Sequence, residues 1–297
     1  LSAIAIAGFY GAALGAGRTT NLAVAEYWRW WVVHLWVEGF FEVFATVVFA
    51  FLFTRLGLLN PRTTERAVVA SAAIFLAGGI LGTLHHLYFS GTPPAVLALG
   101  SVFSALEVVP LVFIGYEAAD NYRLSRGNTW VRRYRWPIYF FLSVAFWNAI
   151  GAGLFGFMIN PPVALYYMQG LNTTPVHGHA ALFGVYGMLG LALMLFCLRA
   201  SAPDREWNEK PLAFSFWAIN IGLFLMVTIS LLPVGLLQTH AAVEVGYWYA
   251  RSPEFLQTGL MNTLRWMRAI GDTIFGIGAV VFTLFALPLL RRPKVSA

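Results

Sequence analysis

Apolar residues in this chain come in long unbroken blocks, not in the alternation of a half-buried strand or the narrow stripe of a surface helix. The blocks cover residues 24–59, 66–89, 95–118, 137–159, 174–198, 212–237 and 264–290, after an apolar stretch at 1–17. A helix rises ~1.5 Å per residue, so about 20 apolar residues cross the ~30 Å hydrocarbon layer of a bilayer. Every block reaches that length, and the pattern predicts seven complete transmembrane helices after an N-terminal remnant. Breakers fall between blocks, at Asn60-Pro61, at Gly91-Thr92-Pro93-Pro94 and at Pro161-Pro162. The expected fold is all-α, a polytopic transmembrane helix bundle that occupies 1–297 as one domain.

Charge supports the span count and orients it. Arg55, Arg62 and Arg66 lie between the first and second blocks, and Arg123, Arg126, Arg132, Arg133 and Arg135 between the third and fourth. Arg199, Arg205 and Lys210 follow the fifth, and Arg291, Arg292 and Lys294 close the chain. These four regions share a side if every block crosses once. The intervening loops at 90–94 and 160–173 carry no charge. The positive-inside rule puts the basic side in the cytoplasm and predicts a multi-pass membrane protein.

Composition agrees. Of 297 residues, 59% are hydrophobic and 11% charged, against about 25% charged in soluble domains. The net charge of +6 forms no soluble basic face, so nucleic acid is not an expected partner. The single Cys197 excludes an internal disulfide and reads as a small buried residue. The opening is apolar without a basic n-region, so no signal peptide is expected. Because the first residue is Leu1, upstream sequence is expected.

Ionisable residues inside spans are costly and mark function. His34, His85, His86, His177 and His179 lie in blocks, with Glu38, Glu42 and Glu107; His240 is expected in an outer loop. By helical rise, His34 with Glu38, the His85–His86 pair, His177 with His179, and Glu107 all fall in the outer half. Scattered packing histidines need not share a depth. His34 and Glu38 are four apart, so they face one side and can bind one ion, and Glu42 extends that face. His85 and His86 are about 100° apart around a helix and can still reach one ion. Three imidazoles and a carboxylate suit iron or manganese better than copper(I). His177 and His179, two apart, point about 200° apart and suit two cofactors on opposite faces, such as two heme irons.

These residues resemble those of the heme-copper oxidase superfamily, in which one helix carries a His, another a His-His pair and a third a His-x-His pair. The nearest pattern is that of the quinol-dependent nitric oxide reductases. It is carried by His34-Leu35-Trp36-Val37-Glu38-Gly39-Phe40-Phe41-Glu42, by Gly82-Thr83-Leu84-His85-His86-Leu87-Tyr88-Phe89, by Phe103-Ser104-Ala105-Leu106-Glu107 and by Asn172-Thr173-Thr174-Pro175-Val176-His177-Gly178-His179. The resemblance implies that His34, His85, His86 and Glu38 bind a non-heme iron. It implies that His177 binds a high-spin heme b3 and that His179 is one axial ligand of a low-spin heme b. Glu42 and Glu107 match acidic residues that handle protons, and Asp272 matches a carboxylate linked to a quinol pocket. Oxygen-reducing relatives place a Tyr four residues after the first metal His, where this chain has Glu38.

The resemblance implies a respiratory-chain enzyme of denitrification, reducing nitric oxide to nitrous oxide with electrons from quinol. No His precedes His34 to supply the second axial ligand of the low-spin heme. The chain is thus expected to be the C-terminal part of a larger catalytic subunit, incomplete without its missing N-terminal part. A homo-oligomer is compatible with this reading. Two alternatives stand beside it. An oxygen-reducing terminal oxidase would contain copper, and an ion transporter would show no Soret absorbance.

Overall fold

In the computed structural model, residues 2–105, 116, 119–123, 127, 129–201 and 205–290 are described, apart from the side chains of 2, 38, 129 and 130. Every regular element among them is helical. Six helices are long and apolar enough to cross a membrane: α2 (Leu22–Arg55), α3 (Pro61–His86), α5 (Arg135–Ile159), α7 (Thr173–Ser201), α8 (Glu209–Glu244) and α9 (Gly259–Leu290). Shorter helices are α1 (Ser2–Ala12), α4 (Pro94–Ala105) and α6 (Pro162–Met168). This is a multi-pass helical membrane protein. The third expected span begins as α4, and most of its remainder lies outside the described residues. Two expectations change. His240 belongs to α8, which runs on to Glu244, and Cys197 is exposed on α7.

Backbone contacts divide the chain into two compact units. The first comprises Leu1–Asn121 and Gly153–Gln169. Its helices start where the sequence supplies caps. The Asn21 side chain accepts from the Ala23 N–H at 2.9 Å and Asn60 from the Arg62 N–H at 2.9 Å, and Pro61 takes the first turn of α3. Phe49, Phe53 and Phe75 are fully buried between α2, α3 and their neighbours. The α3 helix tightens into a 3-10 turn at Thr83–His86. The chain then reverses through Phe89 and Gly91, both at positive φ (61° and 86°).

The second unit comprises Tyr122–Ala152 and Gly170–Ala297. Its α8 and α9 pack along small residues. A Cβ at Gly222 or Gly271 would run into the backbone of the facing helix, the close approach that small residues permit within membranes. The Ser215 hydroxyl donates to the Gly278 carbonyl at 2.7 Å along the same seam. The Asn220 amide oxygen accepts from the Ser143 hydroxyl (2.6 Å) and the Trp147 indole N–H (2.9 Å), tying α8 to α5. Among the described residues, π-helical stretches interrupt α2 (Leu35–Phe41), α5 (Asn148–Phe155), α7 (Leu182–Gly187) and α8 (Met226–Leu231). Such stretches favour functional sites, because they re-aim side chains and loosen the backbone ladder.

Candidate metal centre and histidine pair

In the first unit, three imidazoles converge. His34 ends the α-helical part of α2, and His85 and His86 close α3. One ring nitrogen from each lies within 4.8 Å of the others. His85 Nε2 and His86 Nε2 are 2.9 Å apart, and His86 Nε2 lies 3.3 Å from His34 Nδ1. His34 and His85 are buried, at 1% and 6% exposure. Nitrogens bound to one ion at ~2.0–2.1 Å must stand about this far apart. The donor set fits a transition-metal ion, for which imidazole is a favoured ligand.

The 3-10 turn makes the convergence possible. It places consecutive rings about 120° apart around the axis, and their length lets both nitrogens meet. The turn is held from behind by α4, where a Cβ at Gly100 would collide with the His85 backbone nitrogen. Trp30, one turn before His34, stacks flat on His86 with ring centroids 3.9 Å apart and planes 7° apart. Its indole N–H donates to Glu26 at 3.2 Å. Trp30 was not among the residues expected from sequence. Its i, i+4 spacing to His34 was the available signal.

The carboxylates stand differently. Glu38 lies on the π-helical stretch of α2, and its side chain is outside the described ones. Glu42 follows that stretch and is 7% exposed. The four-residue spacing that put Glu38 and Glu42 on the His34 face assumed α-helical turns, and the π stretch changes that register. Glu107 lies outside the described residues.

In the second unit, His177 and His179 diverge. His177 Nδ1 donates to the Gly151 carbonyl of α5 at 2.9 Å, and His179 Nδ1 to the Pro175 carbonyl at 2.9 Å. A backbone acceptor at Nδ1 fixes the ring and leaves Nε2 as the ligand atom, the usual outer support of a metal-binding His. A Cβ at Gly178, between them, would meet no atom within 4 Å. Asn148, one turn before Gly151, is 1% exposed, and neither amide atom bonds a protein group. Buried amides normally have a partner, which this one lacks among the protein groups. The anchored His177 ring and the open space at Gly178 fit a large planar cofactor, whereas His179 Nε2 faces Arg268 in this structure.

Asp272 lies on α9, where both its oxygens accept from Arg268 Nε, at 3.2 and 3.1 Å. Arg268 Nη2 in turn lies 2.9 Å from His179 Nε2. The four-residue spacing of Arg268 and Asp272 is a sequence signal for their ion pair, but nothing in the sequence signals the link from Arg268 to His179.

The family described as Cytochrome C and Quinol oxidase polypeptide I matches residues 1–274. The chain belongs to this family. The match spans the helices that carry His34, His85, His86, His177 and His179. A nitric oxide reductase subunit of Stutzerimonas stutzeri is 30% identical over 292 residues, a match that covers 93% of this chain and 58% of the relative. The chain therefore spans less than two thirds of that relative's length.

Proposed function

We propose that this chain is the metal-carrying, C-terminal part of a quinol-oxidising nitric oxide reductase of a bacterial inner membrane. The observation that carries the reading is the convergence of His34, His85 and His86 within 4.8 Å, in a chain 30% identical to a nitric oxide reductase subunit. In this reading the three imidazoles and Glu38 hold a non-heme iron. His177 holds a high-spin heme b3, and His179 is an axial ligand of a low-spin heme b. The bound metals supply redox-active irons that can take nitric oxide.

The chain's own residues do the rest. Glu38, with a hard anionic oxygen, favours oxidised iron over copper(I). Two nitric oxide molecules take two electrons and two protons to give nitrous oxide and water. Glu42, buried near the metal ligands in sequence, and Glu107 carry those protons. Asp272 accepts a hydrogen bond, then a proton, from a quinol hydroxyl. Arg268 holds that carboxylate in place and stands against His179. A further protein ligand for the low-spin heme would come from the N-terminal part of a longer polypeptide.

The test is an optical spectrum, metal quantification and turnover of the full-length protein. Two b-type hemes, one non-heme iron and nitric oxide consumption with a quinol are expected. A second reading, an oxygen-reducing oxidase, draws on the family's own description as oxidases. Copper in place of iron, with oxygen consumption and no nitric oxide reduction, would select it.

A further inference from the structure

The second unit holds a cavity of about 690 Å³ that the histidine chemistry does not use. It forms where α5 and α8 begin and α7 ends. Arg132, Arg133, Arg135, Arg199 and Arg205 line it. Among the described residues, the lining sets these five guanidiniums against two carboxylates, Glu206 and Glu209. Gathering like charges in one concavity is costly, and an anion seated there offsets the cost.

The walls are built and not a loose tuft of surface arginines. Arg199 is 5% exposed, with its guanidinium 3.7 Å above the Trp207 ring. Its Nη1 donates to the Arg205 carbonyl at 2.7 Å, while its buried Nε has no hydrogen-bond partner. Arg135 pairs with Glu209, and its buried Nε also lacks a hydrogen-bond partner. Arg205 donates to the Pro288 carbonyl at 3.0 Å and the Leu289 carbonyl at 3.3 Å, at the end of α9. The guanidiniums of Arg135, Arg199 and Arg205 are thus held in place. Planar guanidinium forks match the oxygens of a phosphate, which they can bind in bidentate fashion.

Two features bear on where the phosphate comes from. The cavity lies where three apolar spans end, which is headgroup depth. Leu284, Leu287 and Leu290 of α9 are each more than half exposed, beside the carbonyls that Arg205 bonds. An acyl chain lying on those leucines would leave its headgroup at the arginines. Basic pockets at the cytoplasmic ends of helices recognise anionic lipids in this way. We infer that the five-arginine cavity between the ends of α5, α7 and α8 binds a phosphate anion, the headgroup of an anionic phospholipid fitting it better than free phosphate.

The test uses the full-length protein, delipidated and then titrated with phosphatidylglycerol, phosphatidylcholine or inorganic phosphate, with bound species counted by native mass spectrometry. One tightly retained phosphatidylglycerol, with phosphatidylcholine stripped at the same collision energy, is expected. In Arg132→Gln/Arg133→Gln, both at the exposed rim, phosphatidylglycerol retention should fall about tenfold or more. The Arg62→Gln/Arg66→Gln protein loses the same charge elsewhere and should retain the lipid. Retention of inorganic phosphate that the rim variant loses, without phosphatidylglycerol, would keep the site and identify free anion as its ligand. Equal retention of both lipids with no phosphate bound, or a rim variant that melts and binds like the parent, would overturn the inference.

Discussion

His34, His85 and His86 in the first unit turn their nitrogens toward one another, whereas His177 and His179 in the second turn theirs apart. The first three are within 4.8 Å and partly shield each other, with Trp30 as a lid on His86. Each of the other two is anchored through Nδ1 to a backbone carbonyl, and His179 also meets Arg268. In the proposed reading, the contrast follows from what two kinds of metal would demand from a protein. A bare ion takes its whole coordination sphere from side chains, so several helices must bring ligands to one point. A heme would bring most of its own iron ligands, so each heme would need only one imidazole from this chain, and the chain's remaining task would be to fix that ring. Local backbone follows the demand: a 3-10 turn crowds His85 and His86 together, and an ordinary α-helical turn spreads His177 and His179.

Separate substitutions of the pair put the largest effect on this comparison. In the full-length protein, His177→Ala should lose the high-spin heme signal and His179→Ala the low-spin one, each reducing turnover to background. Optical and EPR spectra of the two variants check this, and loss of the same species from both would erase the distinction between converging and diverging ligands. Next come the converging ligands. Glu38→Ala and His85→Ala should each remove most of the non-heme iron and lower nitric oxide turnover by more than the ~10–100-fold of an outer-shell change, while both heme spectra persist. Normal iron content in either variant, by metal analysis, removes that residue from the site.

Asp272→Asn probes the link behind His179. The carboxylate is 44% exposed, so water can partly replace it. Quinol-driven turnover should fall about tenfold, less than the ~10² usual for a positioned acid–base group. Turnover with an artificial donor that bypasses the quinol should be largely kept, and equal losses with both donors would assign Asp272 to structure through its Arg268 pair. The smallest effect is expected at Trp30→Ala. Losing one stacked ring contact is worth about 1 kcal/mol, so iron affinity should fall about fivefold, with the hemes untouched. An unchanged affinity in a metal-competition titration would reduce the stack to packing.

Much of this was legible because a bilayer constrains sequence harshly. Blocks with at most one charge, such as 66–89 and 174–198, had few other readings, and α3 and α7 cover most of both. The identities of His34, His85, His86, His177 and His179 stood out because ionisable groups are rare at such depth. The side chain of Arg268 gave no such signal, since an arginine near a span end usually snorkels to the headgroups.

By itself, the sequence determined that the chain is helical, that it crosses a membrane repeatedly, and which histidines its helices carry, because hydrophobic length and the cost of burying charge act residue by residue. Only the tertiary structure decided where the rings point. The π stretch after His34, the turn that joins His85 to His86, the Gly151 carbonyl that orients His177 and the Arg268 guanidinium against His179 depend on backbone register and on partners distant in sequence. A helical repeat of ~3.6 residues cannot foretell its own interruptions, since those are set by what packs against the helix.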